Sequence, residues 1–136
     1  MANATKMLVG YPIAIACDGS SFLTVVVWDG QQMVYGDGGR FLYNFTGSLD
    51  VIAHELSHGV TDYTSPLEYV SQSGALNEHM SDAFGIMAKH YDLQVKSQDD
   101  DWLIGEEILL PGVKGVALRS MKAPGTAYND PRFVSR

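Results

Sequence analysis

Between Leu49 and Asp62 the apolar residues recur at helical spacing. Leu49, Ile52, Ala53, Leu56 and Val60 fall on one side, while Asp50, His58 and Thr61 fall within about 40° of His54 on the other. The pattern predicts an amphipathic helix with one core face and one polar face. A second helical pattern begins at Ser73, where Leu76, Met80, Ala83, Phe84 and Met87 gather on one side and Glu78 and Asp82 form an i, i+4 pair on the other. Upstream, Phe22 to Trp28 is β-branched and apolar. Trp28-Asp29-Gly30 separates this run from Gln31 to Tyr35, which predicts a hairpin or a strand bend. Gly36 to Gly39 reads as a turn and the polar stretch 62–72, with Pro66, as a loop. An irregular tail is expected from near Ser97. These elements predict an α+β fold: short N-terminal strands, two helices and a tail.

The polar faces carry the candidate chemistry. Residues four apart on a helix are turned by roughly 40° and raised by roughly 6 Å, so the imidazoles of His54 and His58 stand over one another as a two-point metal chelate. Glu55 lies roughly 100° round the helix from His54, where its carboxylate can serve a metal-activated water as base without taking a coordination place. The bland alternative is two histidines sharing a polar face by chance, but only four His occur in the chain. Glu78 on the second helix supplies a third ligand, and three protein ligands with one open place is the catalytic zinc pattern. One cysteine cannot furnish a sulfur set. Asp82, one turn beyond Glu78, is placed to accept a hydrogen bond from the other ring nitrogen of a ligand histidine. His79 and His90 lie off this stripe and read as structural.

Asp50-Val-Ile-Ala-His-Glu-Leu-Ser-His-Gly-Val-Thr-Asp-Tyr-Thr64 and Ser73-Gly-Ala-Leu-Asn-Glu-His-Met-Ser-Asp82 resemble the thermolysin-like family of zinc metalloendopeptidases. Trp28 to Gly38, Asp101-Trp-Leu-Ile-Gly-Glu106 and Ala117-Leu-Arg-Ser-Met121 are similar to it as well. Asn77 to Asp82, Gly112 to Met121 and Pro124 to Pro131 look most like its protealysin branch. The resemblance implies zinc on His54, His58 and Glu78, with Glu55 as general base. It further implies Tyr69 as a stabiliser of the tetrahedral intermediate, Asn77 and Asp82 as supports of the ligand histidines, and Arg119 as a holder of substrate backbone. It also marks a departure. The family's edge strand carries an Asn where this chain has Val25-Val-Val-Trp28, so a side-chain contact to substrate is lost while backbone pairing survives. Calcium is not expected, because the acid that calcium-binding relatives have late in the second helix is Lys89 here, which would pair with Asp101 or a neighbour instead.

With 136 residues and 46% apolar content the chain can bury a core as one domain, yet by the resemblance it is under half of a two-lobed catalytic unit. The expectation is a partial catalytic domain at 28–136 with its second lobe missing, a complementary lobe being a candidate partner, behind a divergent segment at 1–27. Within that segment Lys6 to Cys17 reads as a secretory signal, as a strand or as a truncation scar, and is too short for a membrane span of about 20 residues. A net charge of −7 argues against nucleic acid, and one Cys excludes an internal disulfide. The resemblance favours an extracellular location; a cytoplasmic one stays open. The function expected is hydrolysis of internal peptide bonds in a peptide or protein substrate. The competing readings are a zinc-binding remnant of such an enzyme, weak or inactive in catalysis, and a truncated product without function. Alone, the chain is expected to be a poor peptidase, since the family's oxyanion-stabilising His lies in a segment it lacks.

Overall fold

In a computed structural model, residues 26–28, 33–36, 38–39, 41–96, 99 and 101–127 are described. The readings of Lys6 to Cys17 and of the start of the Phe22 strand lie outside them. Val26–Trp28 (β1) pairs antiparallel with Met33–Tyr35 (β2), Val26 opposite Tyr35 and Trp28 opposite Met33, so the break after Trp28 is a hairpin. Gly38 then takes φ +84°, and a Cβ there would stand 2.3 Å from Leu42 O, a place only glycine can fill. A 3-10 turn at Phe45–Gly47, capped by Asn44, leads into α1, Leu49–Thr64. Asp50 in the first turn of α1 sits at the positive end of the helix dipole. Helix α2, Ser71–Leu93, runs longer than the pattern predicts at both ends and stops at Gln94, whose left-handed conformation (φ 53°) lets its N–H reach the carbonyls of His90 and Tyr91.

The tail is not wholly irregular. Leu103–Ile104 (β3) pairs antiparallel with Arg119–Ser120 (β4), two residues on each side, too short for alternation to announce. The segment between them folds back: Tyr43 N–H donates to Ile108 O (2.7 Å) and Leu110 N–H to Phe41 O (3.1 Å). This carries Ile108 into the core beside Phe45 and Val51, with Tyr35, Leu42 and Leu118 packed around them.

The main correction concerns the helices. They meet through their polar and small residues, not through the faces read as core. Asp50, Val51, His54, Ser57 and Gly59 are the buried positions of α1, and Gly74, Asn77, Ser81, Asp82, Gly85, Ile86 and Lys89 those of α2. Leu56 and Val60 are 51% and 55% exposed, Leu76 and Met87 49% and 59%. The reason is close approach. A Cβ on Gly85 would lie 2.5 Å from Asp50 O and 3.4 Å from His54 Cβ, so the two backbones touch where a larger residue would hold them apart. At that distance the polar side chains satisfy one another across the contact. Among the described residues, no helix is long and apolar enough to cross a membrane.

Candidate metal centre

Helix periodicity places His54 and His58 one turn apart on α1, and the close contact at Gly85 brings Glu78 of α2 opposite them. His54 Nε2 and His58 Nε2 are 3.1 Å apart; Glu78 Oε2 is 3.3 Å from the first and its Oε1 3.5 Å from the second. The two imidazoles thus face different oxygens of one carboxylate, and with one donor atom taken from each residue the set lies within 4.8 Å, close enough to converge on a single ion. Each imidazole is held from behind. His54 Nδ1 lies 2.7 Å from Asp82 Oδ1 and His58 Nδ1 lies 2.8 Å from Asn77 Oδ1. A carboxylate can only accept, so the His54 proton sits on Nδ1, and the Asn77 carbonyl asks the same of His58. Both Nε2 atoms of the neutral rings then face Glu78 with lone pairs that a cation can accept. The donor set fits a metal ion on those grounds, and among the described residues His54, His58 and Glu78 form the one group so assembled.

The charges around the centre agree. Burial alone would lower the His54 pKa, but its hydrogen bonds to Asp82 and Glu78 raise it to about 9. In the chain by itself a proton is thus held between His54 and the carboxylates, and a metal would displace it. Burial would push the Glu78 and Asp82 carboxyls up; the bond to His54, and for Asp82 the guanidinium of Arg119, hold both below their ordinary values. Glu55, half-buried on α1, behaves differently: burial raises its carboxyl, against the pull of His54, His58 and Arg119. Tyr69 is 51% exposed at the rim, its hydroxyl donating to Glu78 Oε1 and its ring 6.1 Å from that of His58. Arg119 on β4 forks onto Asp82, Nε to Oδ2 at 2.7 Å and Nη2 to Oδ1 at 2.6 Å. His79 is exposed on α2, and His90 packs edge-on to Trp102 with ring centroids 5.3 Å apart, well away from the donors.

Two features escaped the sequence reading. Ser81 Oγ lies 3.2 Å from His58 Nδ1. The other is a second charged cluster at the far end of the same helix contact. Lys89 Nζ lies 3.1 Å from Glu107, 3.7 Å from Glu106 and 3.8 Å from Asp50. Ser48 Oγ reaches both Asp50 and Glu107, and Gly105 N–H donates to Asp50 Oδ2 at 3.0 Å. Asp101, the first partner expected for Lys89, instead accepts from Leu103 N–H at 3.0 Å. Asp50 shares the helix stripe of the histidines but lies one turn before them, which turns it to this cluster.

Comparison with known proteins gives the context. Residues 7–62 match the profile of the thermolysin metallopeptidase catalytic domain, and residues 65–136 that of the thermolysin metallopeptidase alpha-helical domain. The chain is 56% identical over 104 residues to an extracellular metalloprotease of Pectobacterium carotovorum subsp. carotovorum, covering 76% of this chain and 30% of that protein. It is 50% identical over 110 residues to thermolysin of Alicyclobacillus acidocaldarius subsp. acidocaldarius, covering 80% and 19%. The solved precursor of protealysin, the metalloproteinase of Serratia proteamaculans, superposes with a TM-score of 0.74 at 51% identity, covering 78% of this chain and 33% of that one. The chain therefore spans about a third or less of the length of these relatives. With the helical-domain profile alone matching more than half of the chain and the catalytic-domain profile matching 7–62, the chain belongs to the thermolysin metallopeptidase family.

Proposed function

We propose that the centre binds zinc and hydrolyses internal peptide bonds. The observation that carries this is the convergence of His54 Nε2, His58 Nε2 and a Glu78 carboxylate oxygen within 4.8 Å of one another, a nitrogen and oxygen set suited to zinc. Zinc held there would supply a Lewis acid that polarises the scissile carbonyl and acidifies the attacking water. Glu55, its carboxyl raised by burial, takes the proton of that water and passes it to the departing amine. Tyr69, at the exposed rim, turns its hydroxyl from Glu78 to the developing oxyanion, and Arg119, 46% exposed, offers a donor to the substrate backbone. Asp82 and Asn77 hold the imidazoles in the tautomer that presents Nε2. Turnover of an internally quenched peptide by the zinc-loaded chain tests the reading. Glu55→Gln should abolish turnover while zinc stays bound; turnover unaffected by that change would exclude Glu55 as base.

A second reading, a zinc-binding unit with little turnover of its own, is favoured by the exposed apolar outer faces of α1 and α2, which leave the cleft without enclosing walls. We propose that turnover by the chain alone is far below that of a full-length relative and rises when the remaining part of one, a complementary lobe, is supplied in trans. Activity of the isolated chain equal to the relative's would overturn this. The name of the Pectobacterium relative supports an extracellular site of action, which fractionation of an expressing culture checks.

A further inference from the structure

We propose that Ser81 is a positioning residue for His58, a reserve acceptor that shares the Nδ1 proton with Asn77. The inference rests on the metal reading above. Ser81 is 0% exposed in the middle of α2. A buried helical serine ordinarily returns its hydroxyl to the carbonyl one turn back, as Ser57 does on α1, bonding Ala53 O at 2.7 Å. The Ser81 hydroxyl instead lies 3.2 Å from His58 Nδ1, while Asn77, one turn earlier on the same stripe, lies 2.8 Å from the same atom.

Helix α2 thus turns two parallel i, i+4 pairs toward the histidines. Glu78 and Asp82 grip His54 from both sides, and Asn77 and Ser81 grip His58 from behind. The two grips differ in kind. Asp82 is a charged acceptor, further fixed by the two bonds of the Arg119 fork, and needs no help. Asn77 is neutral, and its amide would serve equally well turned over, with its NH2 toward the ring and the wrong tautomer stabilised. A hydroxyl beside it can accept from the same N–H whichever way the amide faces, and so holds the proton on Nδ1 and the lone pair on Nε2. Being neutral, Ser81 does this without adding charge next to a cation site.

Two acceptors on one N–H predict that each masks loss of the other. Zinc affinity of the full 136-residue chain, measured by competition with a fluorescent zinc chelator, should fall about twofold for Ser81→Ala and about fivefold for Asn77→Ala. The double variant, with no partner behind His58, should lose about 30–100-fold, more than the roughly tenfold product of the single losses. Metal-free melting temperatures identify any variant that simply unfolds. Where the double variant does so, Ser81→Ala is read in an Asn77→Asp chain, whose charged acceptor should make the second change silent. A double loss equal to the product of the singles, or a Ser81→Ala effect undiminished in the Asn77→Asp chain, overturns the assignment. If the unaltered chain binds zinc no more tightly than His58→Ala, the metal reading itself has failed instead.

Discussion

The contact between α1 and α2 ends in two charged centres that solve the same problem in opposite ways. At the Asp50 end, three carboxylates from two parts of the chain gather around an ammonium that the chain provides itself, Lys89. At the His54 end, two imidazoles and Glu78 gather donor atoms within 4.8 Å of one another, a set that could hold a cation taken from solution. A built-in cation is covalently attached, always present and chemically inert; a borrowed one can be reactive but must be retained by geometry. The difference separates a centre closed by the chain's own charge from one left open to an added ion.

The largest expected effect is on the borrowed cation. Glu78→Gln removes a charged ligand and should lower zinc retention roughly a hundredfold or more, whereas Glu55→Gln should leave it nearly unchanged. Equal zinc content of the two variants by atomic emission would dissolve the contrast between ligand and base.

Next is the built-in cation. Lys89→Met would leave Asp50, 0% exposed, beside Glu106 and Glu107 with no counter-charge, and breaking a buried pair this way costs about 3 kcal/mol. The pH dependence has a definite sign. Burial would lower the Lys89 pKa, but Glu107, Asp50 and Glu106 raise it, so its contribution is complete below the ordinary lysine value and fades as pH rises through the raised one. Burial would raise the Glu107 carboxyl, but Ser48 and Lys89 lower it, so its contribution is complete above the ordinary glutamate value and fades as pH falls through the lowered one. Glu106, raised by burial and by the charges of Asp101 and Glu107, pairs fully only above the ordinary glutamate range, so the melting-temperature gap between the unaltered chain and Lys89→Met should be widest and flat from about pH 7 to about pH 10. A gap that opens or closes inside that window would mean another group controls the cluster.

Gly85→Ala tests the link between the two centres. Its methyl would meet Asp50 O and His54 Cβ together, and forcing the helices apart should cost about 1–3 kcal/mol while weakening zinc binding. Loss of stability with zinc affinity intact would show the centres to be independent. The smallest effect is a null one: millimolar Ca2+ should shift the melting temperature of the chain by no more than about a degree, since Lys89 already occupies the carboxylate cluster. A rise of several degrees would show that calcium binds despite the lysine.

Much of this was legible in the sequence, for reasons that also mark where legibility stopped. The four-residue spacing of His54 and His58 and of Glu78 and Asp82 fixes direction on a helix, so the donor set can be named before any coordinates. Periodicity divides a helix into two faces, however, and does not say which one meets a neighbour. The assumption that Leu56, Val60, Leu76 and Met87 form the core failed because Gly85 and the small residues near it allow a backbone approach that polar side chains then occupy. Lys89 stood out only against the family's pattern. That its partners would include Asp50, 39 positions away, is a tertiary fact with no local signature. Strands of two residues, such as β3 and β4, carry no alternation to read.

The backing of the two imidazoles at the His54 centre has a kinetic side. Because Asp82 and Asn77 already hold both imidazoles from behind, capture of an ion asks little movement of the backbone, and what must leave is the proton held between His54 and the carboxylates. Uptake followed by stopped flow should then rise in direct proportion to zinc concentration without levelling off, and residence time rather than capture rate would decide how firmly the ion is kept.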